Sequence, residues 1–168
     1  QLEHMPVACV LQDEQFRVVY CNPAAERIFG HVLDDLRGLD ITSLIVPDGT
    51  LQAVTGRRER LRRGERDVRA TVENRRKDGT PVICEWNFMP LYDETGEFSG
   101  VLATAQDVTE RERMMTALEE SEERYRHIFA ATPLPMWVAG THAPKFLAVN
   151  DAATRKYGYS RTEFQQMT

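Results

Sequence analysis

One nine-residue pattern occurs twice in this chain and limits what the chain can fold into more than any other feature. Residues 22–30 and 150–158 both read N-x-A-A-x-R-x-aromatic-G and lie 128 positions apart. A repeat at this spacing indicates tandem domains. A length of 168 residues fits one ordinary domain, or one domain plus a fragment, but hardly two full domains, so with the repeat we expect a complete first domain and the first half of a second.

The sequence around the first copy predicts a strand pair followed by a helix. Apolar, β-rich runs at residues 7–11 and 16–21 flank a polar turn of hairpin length. Asn22 and Pro23 provide an N-cap and a first helical residue, and Gly30 ends the same helix. The repeat therefore marks the junction between a hairpin and a short helix.

The rest of the first domain predicts more helix and then three strands. Gly and Pro interrupt residues 34–49, which favour small helical turns, whereas residues 50–63 have the apolar spacing of an amphipathic helix. Turn sequences separate strand-like runs at residues 68–77, 82–92 and 98–108. We therefore predict an α+β fold, in which a five-stranded antiparallel sheet carries inserted helices and leads into a helical linker.

A highly charged segment without Gly or Pro follows the last predicted strand. Its apolar positions alternate in steps of four and three, which is the pattern of a coiled coil, although Ser121 interrupts it. These seam positions are Met114, Leu118, Tyr125 and Ile128. We predict a linker helix over residues 110–130 that pairs as a parallel homodimer; a single solvated helix is the alternative.

The second copy, within residues 131–168, is not followed by three closing strands. We therefore expect a domain over residues 1–109, the linker, and a truncated second domain. Without closing strands, several apolar side chains should stay partly exposed or be covered by another chain, which predicts association or instability. They are Met136, Trp137, Val138, Phe146, Leu147 and Val149.

Charge and composition argue against several functions. The net charge of −5 argues against a nucleic-acid partner, and the Arg-rich stretch between residues 57 and 77 is interrupted by acidic residues, as in a solvated face. Apolar runs fall far short of the ~20 residues that cross a bilayer, so we predict no membrane contact by this segment and a cytoplasmic location. The chain lacks an initial Met and looks excised from a longer protein, whose membrane anchoring stays open.

The cysteines have no spacing typical of a metal site. Cys9, Cys21 and Cys84 lie in apolar runs and are interpreted as buried thiols of a reducing compartment, with a redox switch as the alternative. We predict no metal site. Because the chain carries no phosphate-binding loop or nucleophile motif, we predict no catalytic residue and no enzymatic activity for this segment.

Several short motifs together resemble those of a PAS sensory domain with its C-terminal motif, followed by a second PAS domain. They are N-P-A-A at residues 22–25, R-K-D-G at residues 76–79, E-W at residues 85–86, Gly100, and D-V-T-E-R at residues 107–111. The resemblance covers essentially the whole chain. It implies a five-stranded sheet around a pocket, in an input module of a bacterial histidine kinase or diguanylate cyclase.

The resemblance also implies roles for particular residues. Asp107 and Thr109 match the family's D-x-T motif, which joins the last strand to the outgoing helix, and we expect them to transmit the signal. Self-association would use the linker helix and the PAS surfaces. The signal would be a small ligand or the dimerisation itself.

Alternation along the fourth predicted strand places Trp86 and Phe88 on the buried face. Trp86 either fills the core, which would make the domain a structural dimerisation scaffold, or forms the wall of a small, mostly apolar pocket. The pocket candidates are Ile28, Phe29, Leu44, Leu51, Val54, Trp86 and Phe88.

No cofactor is predicted. The haem-binding branch of the family uses a His on the long helix, and residues 50–63 contain none. The light-sensing branch requires a Cys near that helix, and residues 22–83 contain none. A non-covalent flavin in a redox or light sensor is the alternative that stays open.

Overall fold

The computed structural model describes residues 7–47, 49–141 and 145–167. The chain divides into two compact units, Gln1–Glu112 and Arg113–Thr168, and the boundary between them falls inside a long helix. The first unit contains a complete sheet with four helices packed on it, and the second contains two strands and two short helices besides its part of the long helix.

The sheet of the first unit is antiparallel throughout and has the order β2-β1-β5-β4-β3. Its strands are β1 (Ala8–Asp13), β2 (Val18–Cys21), β3 (Val68–Arg75), β4 (Pro81–Tyr92) and β5 (Phe98–Asp107). The first and last strands of the unit meet at the centre of the sheet, because β5 pairs with both β1 and β4. The predicted five-stranded α+β fold is confirmed.

Four helices lie between the second and third strands of this sheet. They are α1 (Pro23–Phe29), α2 (Leu33–Leu36), α3 (Thr42–Ile45) and α4 (Leu51–Arg62). The start and end predicted for α1 are confirmed, since the Asn22 side chain accepts a hydrogen bond from the Ala25 amide and Gly30 takes a left-handed conformation with a φ of 74°.

The second strand begins later than the sequence predicts. Phe16 was expected inside it, but the strand starts at Val18 and Phe16 has a φ of 62°. The carboxylate of Asp13 accepts the Arg17 amide at 2.8 Å, which closes a tight turn and forces Phe16 into the left-handed region. The ring is only 3% exposed, so its burial offsets the backbone strain of about 1–2 kcal/mol.

The concave face of the sheet and the inserted helices share one apolar core. Along β4 every second residue from Val82 to Phe88 is buried, as the alternation predicts. The thiols of Cys9, Cys21 and Cys84 are buried as well, which confirms that part of the interpretation.

The long helix α5 (Thr109–Ala131) directly follows β5, so the predicted linker helix is confirmed. In the second unit it is followed by β6 (Trp137–Ala139), β7 (Phe146–Val149), α6 (Asp151–Tyr157) and α7 (Arg161–Gln166). Trp137 and Leu147 are exposed, as predicted. The prediction was wrong for Val149, which is 6% exposed because it packs on Ala153 and Phe164.

Candidate functional site

A cavity of about 460 Å³ lies between the sheet and helices α3 and α4 of the first unit. This volume is within the range of about 300–1,000 Å³ that holds small-molecule ligands in proteins. Its apolar lining comprises Val10, Phe16, Ile41, Ile45, Val46, Pro47, Ala53, Val54, Leu61, Val72, Trp86, Phe88 and Ala103. The core is therefore not filled by its own side chains.

An aromatic stack forms one side of the cavity. The Trp86 ring lies 5.5 Å from the Phe29 ring and 5.5 Å from the Phe88 ring and is nearly parallel to both. The indole Nε1 donates to Oδ1 of the buried Asn74 at 2.8 Å, and the Asn74 amide donates to the Ile45 carbonyl at 3.2 Å. Two ring contacts and one hydrogen bond thus hold Trp86 in place.

The structure brings together only part of the predicted pocket set. Val54, Trp86 and Phe88 line the cavity. Phe29 lies behind Trp86 in the stack. Ile28 and Leu44 pack against the core without lining the cavity. Leu51 begins α4, but its side chain lies outside the described residues.

Polar groups that the sequence did not predict in the pocket also line the cavity. Gln12 follows Ala8 and Val10 on the inward face of β1 and is 7% exposed. Arg57 and Arg58 reach the cavity from α4. Continuing the alternation of β1 by one step would have placed Gln12 in the pocket, whereas the positions of the two Arg side chains depend on how α4 packs.

The residues predicted to transmit a signal form a compact joint between the sheet and α5. The Asp107 carboxylate accepts the Thr109 amide at 3.0 Å and the Thr109 hydroxyl at 2.6 Å. The same hydroxyl accepts the Ile83 amide at 2.9 Å, and the Val108 amide donates to the Ile83 carbonyl at 2.8 Å. The first turn of α5 is thereby hydrogen-bonded to β4.

Two ion pairs extend this joint. Arg76 pairs with Asp107 at 2.8 Å and also donates to the carbonyl of Ile28 near the end of α1. Arg111 of α5 pairs with Glu85 of β4 at 3.1 Å. The sequence identifies Arg76 as a motif residue but not as the link between α1 and Asp107, because Arg76 and Asp107 are 31 positions apart in the chain.

The joint keeps its charge at neutral pH. Partial burial acts to raise the pKa of Asp107, but the hydrogen bonds from Thr109 and Arg76 outweigh it, and the pKa lies below its ordinary value of 3.8. The Asp107 carboxylate therefore stays ionised and available to Arg76.

The residues lining the cavity include no His and no Cys among those that the structure describes. The cysteine side chains lie elsewhere in the core, and burial raises the pKa of Cys84 to about 12 and that of Cys21 to about 11. The described lining residues therefore offer neither a His to ligate a haem iron nor a thiol to attack a flavin.

The predicted seam of α5 is exposed. Met114, Leu118, Tyr125 and Ile128 are each more than half exposed, between 52% and 62%. In the described part of the chain, no helix is both long and apolar enough to span a membrane.

Family models match both units. A model described as "PAS fold" matches residues 2–113, and one described as "PAS domain" matches residues 123–167. The first match covers most of the chain and coincides with the unit that holds the cavity.

Solved structures agree with these matches. The PAS domain of a protein from Colwellia psychrerythraea is similar with 22% identity and a TM-score of 0.60, over 65% of this chain and 92% of that one. An RNA-binding Light-Oxygen-Voltage receptor is similar with 25% identity and a TM-score of 0.64, over 73% of this chain and 35% of that one. A Light-Oxygen-Voltage domain studied with a flavin analogue is similar with 25% identity and a TM-score of 0.56, over 70% and 88%. With the fold and the motifs, these matches show that the chain belongs to the PAS family and carries a PAS sensory module.

Proposed function

We propose that the first unit binds a small molecule in its cavity and passes the change to α5. The observation that carries this proposal is the partly open cavity of about 460 Å³ between the sheet and the helices of a PAS fold, beside a strand that leads directly into a helix. Lined mainly by apolar groups with a few polar ones, it has the character of a ligand site.

Two routes support transmission from the cavity to the joint. Trp86 pairs with Ala105 in the sheet, two residues before Asp107, so a shift of Trp86 acts on the end of β5. Trp86 also stacks on Phe29, next to Ile28, whose carbonyl accepts Arg76. Both routes converge on Asp107.

In the whole protein, we expect α5 to pair with α5 of a second copy and to control an output domain, a histidine kinase or a diguanylate cyclase. A ligand that binds more tightly to one arrangement of the helix pair raises the population of that arrangement. A difference of a few kcal/mol in binding free energy between the two arrangements suffices for this.

Calorimetric titration with indole tests the proposed binding. We expect saturable binding at one site per chain, which Val54→Trp abolishes because the larger ring occupies the cavity. Val19→Trp is the matched control, since Val19 is 46% exposed on β2 and away from the cavity. Equal binding by both variants would place the site elsewhere, and no binding by the unaltered protein would contradict the proposal.

A non-covalent flavin is a second candidate, supported by the similarity to the two Light-Oxygen-Voltage proteins. The visible absorption spectrum of the purified protein decides it. A flavin spectrum that Val54→Trp removes would favour this candidate over a colourless ligand.

A further inference from the structure

We propose that the ligand of this cavity is an aromatic monocarboxylate, whose ring packs on Trp86 and Phe88 and whose carboxylate meets Arg57. This inference rests on the proposed function, because it names the chemical class of the molecule that the cavity takes. It is drawn from the polar groups of the lining and the charges around them.

Gln12 is the first of these polar groups. Its side chain is 93% buried, since the residue is only 7% exposed, and among the described residues none hydrogen-bonds its amide. Every fully enclosed polar side-chain atom in that part of the chain has a partner, so the Gln12 amide is not fully enclosed; because Gln12 lines the cavity, its amide is within reach of a bound molecule. A buried amide without a protein partner is costly and is satisfied by a ligand or by water.

Arg57 supplies an uncompensated positive charge. Its guanidinium lies 4.7 Å from the centre of the Phe88 ring, and no ion pair to it occurs within the described ranges. Partial burial lowers the pKa of Arg57, as do the charges of Arg58 and Arg60, but the guanidinium stays protonated at neutral pH. An anion bound here would gain a charge-assisted hydrogen bond and relieve this repulsion.

The neighbouring charges indicate a single negative charge on the ligand. Arg58 already has an acidic partner, since it donates to both carboxylate oxygens of Asp40 at 2.6 and 2.7 Å. Glu73 lies at the cavity lining but is exposed and falls between the inward-facing Val72 and Asn74 on β3, so it does not neutralise Arg57. A phosphate monoester carries about −1.5 to −2 at neutral pH, which one free Arg does not balance. A carboxylate does match that charge.

The apolar lining indicates the body of the ligand. Phe88 stacks on Trp86 at 5.5 Å, and both rings line the cavity. Aromatic rings bind other rings in offset or edge arrangements, with a gain beyond the area that is buried. An aryl body with one carboxylate therefore uses the ring surfaces, Arg57 and the Gln12 amide together.

The test compares naphthylacetate, naphthylacetamide and naphthyl phosphate by calorimetric titration. In the unaltered protein, we expect naphthylacetate to bind about tenfold tighter than the neutral amide, as for one charge-assisted hydrogen bond. Arg57→Gln should abolish this preference while still binding indole, which shows that the cavity remains folded. Arg62→Gln is the matched control, because Arg62 contacts the Phe16 ring but does not line the cavity, and it should keep the preference.

Three results would overturn the inference. Equal affinity for naphthylacetamide and naphthylacetate contradicts a monocarboxylate site. Tighter binding of naphthyl phosphate than of naphthylacetate contradicts it as well. Retention of the preference in Arg57→Gln contradicts the role of Arg57. If indole binds in all these cases, the proposed function stands and only the ligand class falls; if neither indole nor a naphthyl probe binds, both fail.

Discussion

The two copies of the repeated motif fold in the same way locally and differ in what surrounds them. The Asn22 side chain accepts the amides of Cys9 and Ala25 and donates to the Val7 carbonyl, at 2.9 to 3.0 Å. Asn150 does the same with the amides of Met136 and Ala153 and the Leu134 carbonyl, at 2.9 to 3.0 Å. The hairpin-to-helix junction is thus encoded within about 20 residues.

The surroundings of the two junctions are different. Val10 follows the strand residue bonded to Asn22 and is 0% exposed, whereas Trp137 holds the equivalent place beside Asn150 and is 49% exposed. Val10 is covered because β1 also pairs with β5, through Ala103. In the described residues of the second unit, no strand corresponds to β3–β5. Local signals therefore form the junction, and the closing strands form the core and its cavity.

The largest expected difference between the two junctions comes from removing their Asn side chains. Asn22→Ala leaves two amides and a carbonyl without their partner in a buried place, and should lower the free energy of unfolding of the first unit by about 3 kcal/mol. Urea unfolding followed by Trp86 fluorescence, in a Trp137→Phe background, measures it. Asn150→Ala is the control and should leave this transition unchanged; an equal loss would show that the two units unfold together.

The second-largest expected effect concerns dimerisation through the seam of α5. Leu118→Glu places a charge in the proposed helix pair and should weaken dimerisation by at least about tenfold, as sedimentation equilibrium measures. Thr116→Glu adds the same charge to the outer face of the helix and should leave the dimer intact. A monomeric unaltered protein, or equal behaviour of both variants, would contradict pairing through this seam.

The glycines that end the two equivalent helices provide a smaller contrast. Both have positive φ, of 74° at Gly30 and 79° at Gly158, so alanine costs each about 1 kcal/mol of strain. A Cβ at Gly30 would also lie 3.3 Å from Cβ of Lys77, in the turn between β3 and β4. A Cβ at Gly158 would have no heavy atom of the described residues within 4 Å, its own chain neighbours apart. Gly30→Ala should therefore be the more destabilising variant by thermal unfolding monitored separately for each unit. Equal losses of stability in Gly30→Ala and Gly158→Ala would mean that the turn at Lys77 moves aside without cost.

The smallest effect concerns the charge of the joint, for which the second unit has no counterpart in its described residues. Because the pKa of Asp107 is lowered in the folded protein, its stabilising contribution is present above the unfolded value near 3.8 and is lost as pH falls through the folded value. Asp107→Asn should cost less than about 1 kcal/mol at neutral pH, since the ion pair with Arg76 is partly exposed. Chemical unfolding at neutral pH and at a pH well below the lowered pKa of Asp107 should show the difference only at neutral pH. A difference that persists in acid would indicate that the ion pair is not its source.

Much of the fold could be predicted, because strands, turns and helix caps depend on neighbouring residues. The Asn22 cap, the inward face of β4 and the course of α5 follow from local pattern alone. The left-handed Phe16 was missed because a β-rich run gives no sign that Asp13 will close a turn there.

The site was less predictable than the fold. Trp86 was placed by alternation, but its partner Asn74 lies across the β3–β4 pair. Whether Trp86 fills the core or leaves a cavity depends on packing among four strands and two helices, which no local pattern reports. For the same reason, Arg57 was read as part of a solvated face although it reaches the cavity.

Hydrogen–deuterium exchange of α5 residues 109–112, with and without saturating indole, tests most directly whether the cavity controls the joint. We predict that indole changes the exchange of these amides in the unaltered protein and in Val19→Trp, but not in Val54→Trp. If indole is bound and the exchange of the first turn of α5 stays the same, the cavity and the helix are not coupled and the central claim is wrong.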